Sequence, residues 1–220
     1  MSFQPALRLA AALAGVALLG GCNMLMTQAP LFTKADEAGA PGLRPGVWAQ
    51  DSTDKCQVDA SQPLVSWPSC ANGFVVMSDG ALGAYNTKDG KPVWTVSPFV
   101  MAAGEPRIIQ VRLTGEDLPP QAPFAYAALR PTKTDAQGRI TAVTSWAVLC
   151  GAPPPTTAKN PDGQQRYGAL HPLAGLTMDS DNNDCTTTSP AVARLAAEES
   201  RAWTPPESVN ADHWVREGDH

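Results

Sequence analysis

Two Asp-Gly pairs, Asp79-Gly80 and Asp89-Gly90, each fall beside short apolar runs. Asp-Gly in that place is a strong hairpin signal, because both residues tolerate the left-handed backbone of a tight turn. FVVM (74–77) leads into the first pair, and PVWTV (92–96) follows the second. Residues 107–113 alternate, with Ile109, Val111 and Leu113 on one face and Gln110 and Arg112 on the other. FAYAAL (124–129) and the apolar run 140–149 flank a polar loop that carries Gly138, the pattern of a longer hairpin. GVWAQ (46–50) is a further strand candidate, and HWVR (213–216) a short returning strand with Trp214 buried. The 21 prolines and 18 glycines add turns and argue against a helical bundle. The chain is therefore expected to be mainly β: an antiparallel β-meander forming a barrel or sandwich. Residues 124–129 and 140–149 are apolar or small on both faces, as central strands covered on each side would be.

One helix is expected. Ser189 is a good N-cap, Pro190 fits the first helical position, and Pro205-Pro206 ends the element. Val192, Leu195, Ala196 and Trp203 fall near one face. Following a meander, this C-terminal helix is expected to pack over an open edge or end of the sheet. Before it, residues 151–184 are polar and rich in Pro, Asn, Asp and Gly, a stretch that needs its ends held together.

At the N-terminus, Arg8 precedes an uncharged run over 9–19 that ends in Leu19-Gly20-Gly21-Cys22. The run has the length and charged leader of a secretory signal and is too short to span a bilayer. Leu19-Gly20-Gly21-Cys22 resembles the bacterial lipobox. The resemblance implies cleavage before Cys22 and acylation of that cysteine, which would anchor the chain in a membrane. Residues 1–21 are then the signal peptide and 22–43, small, polar and punctuated by Pro and Gly, a flexible tether. Residues 44–220 form a single disulfide-stapled β-rich domain. Asn23, not aspartate, follows the cysteine. By the family's sorting rule this favours the outer membrane, facing the periplasm, over the inner one.

Setting Cys22 aside leaves Cys56, Cys70, Cys150 and Cys185. Four thiols in an exported chain read as two disulfides with three possible connectivities. Nearness in sequence favours Cys56–Cys70 and Cys150–Cys185. No C-x2-C pair accompanies the scattered His171, His213 and His220, so zinc is disfavoured. The formal charge of −5 and the lack of a basic, aromatic-interleaved cluster give no reason for nucleic-acid binding.

Three motifs bear on function. SDGALGAYNTKDGKPVW (78–94) resembles one repeat of the quinoprotein-type β-propeller, although no second copy is present and a plain hairpin explains it as well. DSDNND (179–184) offers Asp179, Asp181 and Asn183 as oxygen donors for a weak Ca2+ loop. It lacks the EF-hand's glycine and glutamate, and a solvated acidic loop is the simpler reading. GVW (46–48) resembles the G-x-W of lipocalins, which implies Trp48 on the first barrel strand at the closed end; a plain core tryptophan is the alternative. No nucleophile elbow, H-E-x-x-H or phosphate-binding loop is present, and no catalytic residue or cofactor is expected. His171 and His213 have no nucleophile beside them. The body resembles uncharacterised lipoproteins of Gram-negative envelopes. The expectation is a non-enzymatic envelope lipoprotein working by contact with another protein, with a lipocalin-like carrier of an apolar ligand as the alternative. Trp67, Trp94 and Phe99 are candidates for an exposed contact patch.

Overall fold

In the computed structural model, residues 23–51, 58–68, 71–88, 91–114, 122–160, 163–181 and 183–218 are described. Seven strands run as an antiparallel meander, each paired with the next: β2 (Gly46–Gln50), β3 (Gly73–Val76), β4 (Ala81–Lys88), β5 (Lys91–Ala102), β6 (Arg107–Arg112), β7 (Phe124–Thr134) and β8 (Ile140–Ala147). The eighth, β11 (Asn210–Arg216), comes after the helix and pairs with both β8 and β2. The sheet thus closes on itself as an eight-stranded antiparallel barrel rather than a sandwich. Closure leaves no barrel strand with an unpaired edge, which removes the liability of open sheets.

Turn chemistry sets two of the hairpins. Met77 and Ala81 pair across a three-residue loop in which Gly80 alone takes positive φ (83°). The same design recurs where Asp135 pairs with Arg139 and Gly138 has φ 78°. There the Asp135 carboxylate accepts from the backbone N–H of Gln137 and Arg139. The described part of the propeller-like segment 78–94 is the β3–β4 loop and the paired strands β4 and β5 of this barrel, and the Asp89-Gly90 turn lies outside the described residues.

Strand alternation sorts the side chains into two cores. Trp48, Phe74, Leu82, Ile109, Leu129 and Val143 point inward and fill the barrel. Tyr126, Ala128 and Trp146 point outward from β7 and β8 and are covered by α1 (Pro190–Trp203). Both faces of these strands are buried, as their composition implied. The helix differs from expectation in two respects. A closed barrel has no open edge, so α1 lies on the outer face of β7 and β8. Its buried stripe is Ala193, Ala196, Ala197 and Ser200, while Leu195 is 45 % exposed. Small residues at i, i+3, i+4 and i+7 let the helix sit close enough for Trp146 Nε1 to donate to the Ala197 carbonyl at 2.9 Å. Ser189 caps the helix as read, accepting from the Val192 N–H.

Residues 23–43 are not a tether. Leu25, Phe32 and Leu43 are buried, and β1 (Met26–Thr27) pairs with the start of β7 where β8 has turned away. Leu25 N–H donates to the Val148 carbonyl at 2.8 Å, so this segment fills the seam between β7 and the continuation of β8. Gln110 explains why it stays there. Outward-facing yet 3 % exposed, its side-chain oxygen accepts from Leu31 and Phe32 N–H and its amide donates to the Phe32 carbonyl. Leu31 and Phe32 are the residues able to dock on the body, and both do, with backbone hydrogen bonds adding to the hold.

The Cys150–Cys185 disulfide is present, with its Cα atoms 5.7 Å apart and both residues buried. It joins the continuation of β8 to β10 (Cys185–Thr186), which pairs with β9 (Thr177–Met178). Cys22, Cys56 and Cys70 lie outside the described residues. Among the described residues no helix is long and apolar enough to cross a membrane.

Candidate functional site

The two ends of the barrel differ in chemistry. One end is closed by the segment 33–45. Ala103 N–H donates to the Asp36 carbonyl, Met101 N–H to the Glu37 carboxylate, and Ile140 N–H to the Gly42 carbonyl. Below this strap lies an aromatic floor. Trp48 is fully buried and stacks on Phe74, with ring centroids 6.0 Å apart. Its Nε1 donates to the Arg44 carbonyl, and Trp214 Nε1 to the Pro45 carbonyl, both at 2.9 Å. The Arg44 guanidinium lies 3.6 Å over the Trp214 ring. Trp48 thus stands on the first barrel strand, inward, at the strapped end, where the G-x-W resemblance puts it. A cleft of about 220 Å3 opens between the strap and the β3–β4 loop, over Leu43, Val76, Phe99 and Met101.

Beyond the aromatic floor the interior becomes polar. Gln50 pairs with Asp212 across β2 and β11, one step past the Trp48–Trp214 pair. Asn210 lies a further step along β11, opposite Ser145 on β8. Ser145, Asn210 and Asp212 are 0 %, 4 % and 1 % exposed. The Ser145 hydroxyl donates to Asp212 Oδ2 at 3.1 Å. The Asn72 amide donates to Gln50 Oε1, and the Gln50 amide in turn donates to Asn210 Oδ1. Two atoms at the end of these chains have no partner among the described residues: Asn210 Nδ2 and Asp212 Oδ1. Buried polar groups are almost always satisfied, and leaving one unpaired costs about 1–3 kcal/mol. Burial pushes the Asp212 carboxyl up to about 8, against the pull of the Ser145 hydrogen bond, and the nearby Asp51 charge adds to the rise. Asp212 is therefore a neutral carboxylic acid at neutral pH, able to donate as well as accept.

Together the four side chains form a hydrogen-bonding layer set directly on an apolar, aromatic one. Sequence reasoning missed this site. Ser145 passes as one of the small residues of a covered strand, and the sequence marks the returning strand only from His213 to Arg216, so Asn210 and Asp212 fall outside it.

The residues singled out from the sequence are dispersed. Phe99 faces the barrel interior. Trp67 and Trp94 lie on the outer face with Tyr85, which meets Trp94 at 4.9 Å, and Val65 and Val96 are exposed. Asp179 Oδ1 accepts from the Asn183 N–H at 2.8 Å, and the Ser180 hydroxyl donates to Asp181. Asp184 turns inward to accept from Met24 N–H at 2.9 Å, so this acidic loop holds the N-terminal segment. Burial, with the like charge of Asp179, lifts the Asp184 carboxyl to about 6. Among the described residues no three His, Cys, Asp or Glu side chains gather as a metal set. His213 pairs with Asp51 at 2.8 Å on the surface.

Compared with known protein families, curated proteins and solved structures, the chain matches none.

Proposed function

We propose that this protein is a lipid-anchored envelope carrier whose barrel takes a small amphipathic ligand. The polar head bonds to Asn210 and Asp212, and the packed core of Trp48, Phe74, Leu129 and Val143 parts to admit the apolar body. The observation that carries this reading is the unpaired Asn210 Nδ2 and Asp212 Oδ1 inside a closed barrel. They sit two residues apart on one strand face, roughly 7 Å at the usual strand rise. One head group with two polar atoms spans that distance. Acylation at Cys22 and an outer-membrane, periplasm-facing site belong to the same proposal, on the lipobox and Asn23. Native mass spectrometry of the exported protein tests it. A bound mass that leaves on denaturation is expected; a bare chain mass, with the protein folded, contradicts the carrier reading.

A second reading rests on the outer face of β3, β4 and β5. Tyr85, Trp94 and Trp67 are half-buried there, with Val65 46 % and Val96 37 % exposed. Apolar and aromatic side chains gathered in this way suit contact with another envelope protein. A photo-crosslinking residue at Val96 in growing cells tests that role. Capture of one defined protein supports it, and no product argues against it.

A further inference from the structure

Asn23 is the first described residue, one peptide bond from Cys22, and it is locked into the fold. It is 3 % exposed and takes φ 85°, a left-handed conformation unusual for a residue other than glycine. Its side-chain amide donates to the Gly151 carbonyl at 2.9 Å, and its side-chain oxygen accepts from Ala169 N–H at 3.1 Å. Its backbone N–H donates to the Asn183 carbonyl at 2.5 Å, and its carbonyl accepts from Cys150 N–H at 3.0 Å. A chain carrying acyl groups at Cys22 therefore has no slack. Neighbouring Cα atoms are about 3.8 Å apart, so the acyl chains start beside the surface that holds Asn23.

That surface has a distinctive composition. Tyr167 and Leu170 flank Ala169, the residue bonded to Asn23, and are 45 % and 42 % exposed. The loop is braced from within: the Arg166 guanidinium donates to the carbonyls of Gly168 and Ala169 at 3.1 and 2.7 Å. Gly151 leaves no room for a side chain, since a Cβ there would stand 2.6 Å from the His171 carbonyl oxygen. Tyr167 and Leu170 are thus presented outward from a fixed base next to the attachment point. A tyrosine with an aliphatic neighbour suits the boundary between headgroups and acyl chains.

We propose that residues 166–171 form the membrane seat of this protein, with Tyr167 and Leu170 resting in the bilayer interface. The inference rests on acylation of Cys22, and the test separates the two. The processed full chain is placed in phosphatidylcholine vesicles, its intact mass is recorded, and hydrogen exchange is followed in peptides covering 166–171. A second chain carries ten Gly/Ser residues inserted between Cys22 and Asn23. The expected result is an acylated mass, exchange at 166–171 slowed several-fold relative to the spacer chain, and no difference in β4–β5. An acylated, vesicle-bound chain whose 166–171 exchange equals that of the spacer chain overturns the seat and leaves the anchor standing. An unacylated mass overturns both. Tyr167→Ser with Leu170→Ser, two exposed positions, removes the protection while the acyl mass stays.

Discussion

Inside the barrel the Ser145 hydroxyl meets the Asp212 carboxyl at 3.1 Å, and the second oxygen of that carboxyl has no partner among the described residues. One hydrogen bond does not offset the loss of water around an ionised carboxylate. The group therefore holds its proton to about pH 8.

This gives stability a pH dependence of defined sign. In the unfolded chain Asp212 ionises near its ordinary value of 3.8, whereas in the fold it does so near 8. Between those values the folded state binds more protons, so stability falls as pH rises. The stabilisation is complete below about pH 4 and lost as pH passes through 8. Asp184, lifted to about 6, adds a contribution of the same sign over the lower part of the range. Calorimetric Tm should decline from pH 5 to 8.5, and Asp212→Asn should flatten the decline above pH 6. A Tm that rises across this range contradicts the assignment.

The disulfide makes a separate prediction. Cys150 and Cys185 are 35 residues apart in sequence. Chain-entropy reasoning for a loop of that size gives about 4 kcal/mol. Cys150→Ser with Cys185→Ser should lower the denaturant unfolding free energy by about that amount, without changing the barrel's circular dichroism. Loss of less than about 1 kcal/mol would mean that hydrogen bonds alone order residues 151–184.

On α1, Ala196 is fully buried against the barrel while Leu195 beside it is 45 % exposed. Ala196→Leu should destabilise by about 1–3 kcal/mol through overpacking. Leu195→Ala should stay within about 0.5 kcal/mol of the parent. Thermal unfolding of the pair checks this; the reverse order would show that the helix packs on its other face.

The barrel strands were largely legible in the sequence because each is a short alternating or apolar run set off by turn residues such as Asp79-Gly80 and Gly138. The helix boundaries were equally so, marked by Ser189 and Pro205. What escaped was long-range. Residues 23–43 carry apolar side chains without a strand or helix period, and Gln110, the side chain that binds them, lies about 80 positions away. The helix face was misjudged because Leu195 is more hydrophobic than Ala196, yet close approach to Trp146 selects the smaller residue. Asp212 and Asn210 alternate with His213 and Ala211, a pattern that does not say which set faces inward. Only the pairing of β11 with β2 and β8 decides it.

Asn23 offers a local check on the N-terminal lock. Asn23→Gly keeps the left-handed backbone and loses both side-chain hydrogen bonds, so it should cost about 1–3 kcal/mol. Asn23→Val adds backbone strain and should cost more. Equal Tm values for the two variants would show that the backbone conformation carries no constraint.

The central claim is that Asn210 and Asp212 hold a ligand's head inside the barrel. Native mass spectrometry of the exported protein beside Asn210→Leu tests it most directly. The parent should carry a bound mass, and the variant, which lacks the unpaired amide, should lose most of it while keeping its fold. An equal bound mass in both would place the ligand elsewhere, and a bare parent would contradict the carrier itself.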